Sequence, residues 1–369
     1  MATIPIKLAV DWESAFADVK KVVDFSGAQE MAAMNSEILE LSKRVPMVQS
    51  DLAAMVATAA QAGVAKKDLI SFTEQAAKMG TAFDVSAEEA AAAMSAWRNA
   101  MSLTLPEVYA LGDSINHLSN NVAVTAPGMV NFMNRAGGLG KIAGLTADQT
   151  AALGASIMST GVAPEVAATG FKNFTLALQK GRAATKGQET AFKKLGINAV
   201  TLSERMQRDA QGAIFDVLNA LNKLPAAEKA AVMSKLFGTE SIAAITPLVA
   251  NMDNYRKVLG LVSDKTKYLG SMQKEFNARA ATTANSWQLM KNEAMALGIQ
   301  IGTSMLPALK QVMEVAKKIL TPIMEWTKKN PELAGKIMMV VAAAGVLGMV
   351  IGGILIAIGS VIGAVTTIL

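Results

Sequence analysis

Hydrophobic residues recur along most of this chain at three- and four-residue intervals, which is a helical period. Between about residues 48 and 260 the periodic stretches are short and punctuated. Ser86-Ala-Glu-Glu89, Thr104-Leu-Pro-Glu107, Thr146-Ala-Asp-Gln149 and Thr201-Leu-Ser-Glu204 each fit a capping box. In that motif a hydroxyl and a carboxylate or amide satisfy the free N–H groups at a helix start. Gly63, Gly80, Gly161, Gly196 and Gly238 each follow an apolar-periodic stretch and predict helix stops. Val22-Val23 and Ile4-Pro5-Ile6 are the only hints of strand.

The pattern changes after residue 262. Ser263 to Lys291 contains no proline and only Gly270, and predicts one long amphipathic helix. The helical period continues beyond it, with Pro307, Pro322 and Pro331 predicted as interruptions. Asn330 before Pro331 fits an N-cap followed by proline at the first helical position. Leu306, Leu309, Val312, Met313, Val315, Ala316 and Leu320 fall at three- and four-residue spacing. From Ile337 to Leu369 no residue is charged, and Lys328, Lys329 and Lys336 flank the start of this run. A bilayer-spanning helix needs about 20 apolar residues, so the run predicts a segment able to enter lipid, or one shielded by copies of itself. Gly345, Gly348, Gly352, Gly353, Gly359 and Gly363 punctuate it; Gly348–Gly352 and Gly359–Gly363 have the spacing that lets helices approach closely. Because the chain stops inside this run, the expectation is that 369 residues are a portion of a longer natural chain.

The expected fold is all-α: a compact multi-helix domain, then long amphipathic helices, then an apolar, potentially transmembrane segment. The expected boundaries are 1–45 for an amino-terminal helical segment, 46–262 for the compact domain, 263–330 for the elongated helices and 331–369 for the membrane-competent segment.

Composition narrows the chemistry. The chain has no cysteine and one histidine, which excludes a disulfide scaffold, a thiolate metal site and a multi-histidine centre. Hydrophobic residues make up 51% and charged residues 18%, too apolar for a disordered chain. The net charge of +5 is not concentrated in one run and gives nucleic acid no obvious footing. Abundant alanine and 23 methionines suit long helices with adaptable faces. No basic stretch followed by an apolar one opens the sequence, so the expectation is synthesis in the cytoplasm.

No catalytic, cofactor or metal site is expected. Gly137-Gly-Leu-Gly-Lys141 is similar to a phosphate loop, but that motif needs glycine where Arg135 stands and a hydroxyl where Ile142 stands. Gly138 to Ala143 matches GxGxxA without the preceding strand, and reads as an inter-helix turn. His117 reads as a polar helix-face residue. Glu88 and Glu89 are adjacent, point in different directions on a helix, and favour its N-terminus electrostatically. Trp12, Trp97, Trp287 and Trp326 read first as packing residues and second, for Trp326, as an interface anchor.

Several stretches in order resemble the core domain of the tape-measure proteins of tailed bacteriophages. Gly144 to Val162, with Gly161 in its turn, is followed by PEVAATGFKNFTLAL. Then come Leu195-Gly196-Ile197 and Leu236-Phe237-Gly238. Leu306-Pro307-Ala-Leu309, Leu320-Thr-Pro-Ile-Met-Glu-Trp326 and Asn330-Pro331-Glu-Leu333 complete the set, which covers roughly residues 46–369. The resemblance implies a non-enzymatic structural role in the lumen of a phage tail or tail-derived bacteriocin: several coaxial copies scaffold the tube and set its length. It implies as partners the tail tube protein, baseplate hub or tail tip proteins and tail assembly chaperones. On infection the protein would leave the tube and help DNA, met only in passage, across the host inner membrane. A wholly helical chain of this length would reach roughly 550 Å, and family members are usually longer. The alternatives are a helical pore-forming toxin or secreted translocator and, third, a membrane-anchored cytoplasmic enzyme.

Overall fold

The computed structural model describes residues 3–343. In chain order the α-helices are α1 (Thr3–Val22), α2 (Ala28–Ser42), α3 (Gln49–Gln61), α4 (Leu69–Phe83), α5 (Ala87–Met101), α6 (Leu105–Asn121), α7 (Ala126–Ile142), α8 (Ala147–Met158) and α9 (Pro164–Gln179). They continue with α10 (Lys186–Lys194), α11 (Ala199–Arg208), α12 (Ala210–Asn222), α13 (Ala226–Phe237), α14 (Ile242–Ala250), α15 (Met252–Val262), α16 (Ser271–Ala280), α17 (Thr283–Lys329) and α18 (Pro331–Ala343). No strand occurs among the described residues, and the chain is all-α as its pattern predicts. The strand hints at Ile4–Ile6 and Val22 fall within α1.

The chain divides into two compact units: Val19–Leu289, and Met1–Asp18 together with Met290–Leu369. In the first, α8 lies among α7, α9, α6 and α15, and nearly every residue from Thr150 to Met158 is buried. Gly154 lets α7 come close: a methyl there would overlap the Phe132 ring. Phe132 in turn meets Phe171 of α9 edge-on, with ring centroids 5.7 Å apart. Trp97 is 1% exposed, and its indole N–H donates to Asn134 Oδ1 at 2.8 Å, joining α5 to α7.

Of the four helix starts predicted from capping boxes, three are found. Ser86 Oγ accepts from the Glu89 N–H, the Thr104 N–H donates to Glu107 Oε2, and Thr146 and Gln149 exchange both bonds of a capping box. The predicted box at Thr201 is absent, because α11 starts two residues before it. Asn198 is the cap, and its Oδ1 accepts from the Val200 and Thr201 N–H groups. A box that escaped the sequence reading joins Thr185 and Gln188. Gly63, Gly161, Gly196 and Gly238 do stand just beyond helices, whereas Gly80 is helical, inside α4. Small size is its use there, since a methyl would fall 2.8 Å from Met47 Cε.

Two expectations about elongated structure are corrected. Ser263–Lys291 is not one helix. A 3-10 turn at Lys265–Lys267 is followed by Gly270, which with φ of 82° is the N-cap of α16, and a second break at 281–282 precedes α17. Asp113 of α6 stabilises the first break: its carboxylate accepts the Gly270 and Met272 N–H groups at 2.9 and 2.8 Å, capping α16 from across the fold. Pro307 and Pro322 do not interrupt α17, which runs for 47 residues through both. Pro331 does begin α18, after Asn330. Among the described residues no helix is long and apolar enough to cross a membrane, and most of the apolar run expected from Ile337 to Leu369 lies outside them. Gly345, Gly348, Gly352, Gly353, Gly359 and Gly363 lie outside the described residues.

Candidate functional site

The chemistry-bearing residues named from the sequence do not converge. His117 is half-buried on α6, with its Nδ1 3.4 Å from Asn121 Nδ2. Gly137 to Ile142 form neither a phosphate loop nor a turn: they are the last residues of α7. Gly137 faces the Met101 side chain of α5, and a methyl at Gly140 would overlap Thr150 of α8, so these glycines serve helix packing. Among the described residues no group of histidine, cysteine or carboxylate side chains is placed to hold a metal.

Two of the motif stretches do come together. Leu195-Gly196-Ile197 closes α10. The Ile197 N–H donates to the Phe192 carbonyl and the Gly196 N–H to the Lys193 carbonyl, both at 3.0 Å. This six-to-one and five-to-two pairing needs the left-handed φ of 70° that Gly196 supplies. Leu236-Phe237-Gly238 closes α13, which packs on α10, and Leu236 and Phe237 are buried. The tie between them is Gln188, which the sequence reading missed. Its buried side chain donates from Nε2 to the Leu236 carbonyl at 3.0 Å and accepts at Oε1 from Lys180 Nζ at 3.0 Å. Phe237 meets Phe174 of α9 edge-on with centroids 5.0 Å apart. Beside this corner lies a groove of about 530 Å³ lined by Arg182, Phe192, Lys193, Gly196 and Ile197. Gly161 ends the turn between α8 and α9 at the edge of a separate shallow hollow.

A polar cluster holds the 3-10 turn before α16. The Tyr268 hydroxyl donates to Asp148 Oδ2 at 2.9 Å. Burial is the main influence on Asp148 and raises its pKa above the ordinary carboxylate value, with the Tyr268 hydrogen bond opposing. Burial raises Asp113 in the same way, against the two backbone N–H groups that it accepts. Burial and the neighbouring Asp148 both push the Tyr268 hydroxyl up.

The most exposed apolar surface lies in the second unit, on α17. One side of that helix is covered: Asn292, Ala296, Ile299, Gly302 and Leu306 are buried. Gly302 meets the backbone of Pro5 and the methyl of Ala9, and Gly298 sits where a methyl would be 2.7 Å from Leu8 Cδ1. Lys310 Nζ pairs with Glu13 at 2.9 Å, a further contact between α17 and α1. The other side is bare. Met290, Leu297, Ile301, Val312, Val315, Ile319 and Trp326 are each 41–56% exposed. Pro307 and Trp326 are exposed along this helix, and Pro331 opens the next. The apolar spacing read from sequence therefore mixes two faces, because Leu306 belongs to the covered side while Val312 and Val315 belong to the bare one.

Residues 35–238 match the family of phage-related minor tail proteins. The chain belongs to that family. It is similar to a probable tape measure protein of Halomonas phage phiHAP-1, at 36% identity over 362 residues, 95% of this chain and 42% of the relative. It is also similar to a probable tape measure protein of Escherichia phage P2, at 24% identity over 339 residues, 88% of this chain and 40% of the relative. The chain thus spans about two fifths of the length of these relatives. No solved structure matches it.

Proposed function

We propose that this chain supplies the compact core and an elongated helical portion of a tape-measure protein in a phage tail, as a structural and non-enzymatic component. The observation that carries the reading is the 36% identity to a probable tape measure protein across 95% of the chain. The architecture supports it: a 47-residue helix with a bare apolar side suits a rod packed coaxially with other copies inside a tube. At 1.5 Å per residue α17 extends about 70 Å. The proposed partners are the tail tube protein, the baseplate hub or tail tip, tail assembly chaperones and further copies of this chain. The proposed location is the tail lumen after synthesis in the host cytoplasm. On infection the chain would leave the tube, and its apolar run from Ile337 onward would pass to the host inner membrane as DNA enters.

The test is an in-frame deletion of 28 residues within α17, four seven-residue units, in the phage that encodes the chain. Tails measured by electron microscopy should shorten by about 42 Å. Intact tails of unchanged length would remove the ruler role from this helix.

A further inference from the structure

Charge is unevenly placed within the first unit. From Lys172 to Arg208 the chain carries eight lysines and arginines against two acids, whereas residues 1–171 carry 11 against 17. The cations are spaced apart in sequence, and the packing of α7, α9, α10 and α11 gathers several of them at one corner. Gln179 of α9 and Gln207 of α11 both donate to the Ile142 carbonyl at the end of α7, at 2.7 and 3.4 Å. Leu176 and Lys172, three and seven positions before Gln179, lie on the same side of α9. Ile142 is 63% and Leu176 39% exposed. The groove of about 530 Å³ beside α10 begins at Gly181, just after α9, and is lined by the exposed Arg182 and Lys193 together with Phe192, Ile197 and Val200. Among the described residues Lys172, Arg182 and Lys193 form no ion pair, and the exposed Lys180 is bonded to the neutral amide of Gln188.

We propose that this corner docks an acidic, amphipathic segment of another protein. Its apolar side chains would cover Ile142 and Leu176 and enter the groove, and its carboxylates would meet Lys172, Arg182 and Lys193. The corner would serve in this way whether or not the chain sets tail length. A singly exposed apolar residue needs no explanation. Here two branched ones adjoin a groove and a set of cations without acidic partners, and an apolar centre with a charged rim is how docking surfaces are built. Like charges left together repel, and carboxylates from a partner remove that repulsion and speed the encounter. Nucleic acid fits less well. Glu189 lines the groove and would face its phosphates, and the groove's one aromatic ring, Phe192, is 1% exposed and out of reach of bases.

The test is fluorescence anisotropy with the purified full chain in mild detergent, a labelled peptide of four Glu-Glu-Leu-Leu repeats as the probe, and empty micelles as the blank. The peptide should bind, and binding should weaken about tenfold or more for the double variant Lys172→Glu with Arg182→Glu, for Leu176→Ser, and for a Gln-Gln-Leu-Leu peptide. Raising the salt should weaken it further. Lys274→Glu, which removes an exposed cation of α16, should leave binding unchanged. All these side chains are exposed, so the urea midpoint of each variant should match the parent's, which separates lost docking from lost folding. No binding of the acidic peptide, an equal loss for Lys274→Glu, or full binding by the double variant would overturn the inference. So would a DNA duplex that binds the corner more tightly than the peptide and displaces it.

Discussion

Trp97 and Trp326 both stand in helices, yet one is 1% and the other 41% exposed. Trp97 belongs to the unit Val19–Leu289, where short helices meet neighbours on several sides and even the indole N–H has a fixed acceptor. Trp326 lies on α17, one side of which is covered as far as Leu306 and the other of which carries an uninterrupted apolar stripe. The first unit satisfies its apolar surface within one chain. The stripe on α17 is left over, and a leftover of that size and regularity points to association rather than to folding.

The sharpest test of this contrast is the pair of tryptophans. Trp97→Ala should destabilise the first unit by about 3–5 kcal/mol in urea unfolding, from lost burial and the cavity left behind. Trp326→Ala should change unfolding of the isolated chain by less than about 0.5 kcal/mol. Comparable losses would erase the distinction between the two regions.

Next in size is Gly302→Leu, which forces side-chain atoms into Pro5 and Ala9. Overpacking of this kind costs about 1–3 kcal/mol. Amide exchange should rise over residues 3–18 while the midpoint of the first unit stays put. Protection of α1 equal to the parent's would show that the close approach is dispensable.

Gln188→Ala probes the corner where the two motif turns meet. It strands the buried Leu236 carbonyl, and the expected loss is about 1–3 kcal/mol, read by thermal or urea unfolding. A neutral result would mean that α10 and α13 are held by their apolar contacts alone.

The smallest expected effect is on pH dependence. The folded pKa of Asp148 lies above its ordinary value of 3.8, so folding favours the protonated carboxyl. That contribution is complete below 3.8 and is lost as pH rises through the raised folded value. Asp148→Asn stays neutral and retains an oxygen to accept from Tyr268. Its stability relative to the parent should therefore increase from pH 4 to pH 7. Parallel unfolding curves across that range would show that the ionised carboxylate is not penalised.

Much of the helix plan was legible because helix ends depend on local bonds. The box at Thr146 and Gln149 and the turn at Gly196 need only residues within six positions of each other. The misreadings have the opposite cause. Thr201 fits a box, but Asn198 already accepts the Thr201 N–H that such a box would use. Pro307 and Pro322 look like breaks, but α17 continues through them. Ser263–Lys291 reads as one helix because it holds no proline and a single glycine. It is broken where Asp113, more than 150 positions away, caps a new helix start. The Leu195–Ile197 and Leu236–Gly238 turns were recognisable singly; their union through Gln188 was not, because glutamine in a helix carries no signal of its partner.

The sequence by itself determined that this protein is helical, where several helices start and stop, that it carries no cysteine or multi-histidine chemistry, and that its apolar content rises toward the end. Those properties follow from composition and from bonds that close within two turns. Only the tertiary structure decided which glycines are hinges and which are contact points, and which carboxylates lie away from water. It also decided which side of α17 meets α1 and which is left bare. A helix period tells that a residue faces something, but not whether that something belongs to the same chain, since covering one side of a rod leaves the periodicity of the other unchanged.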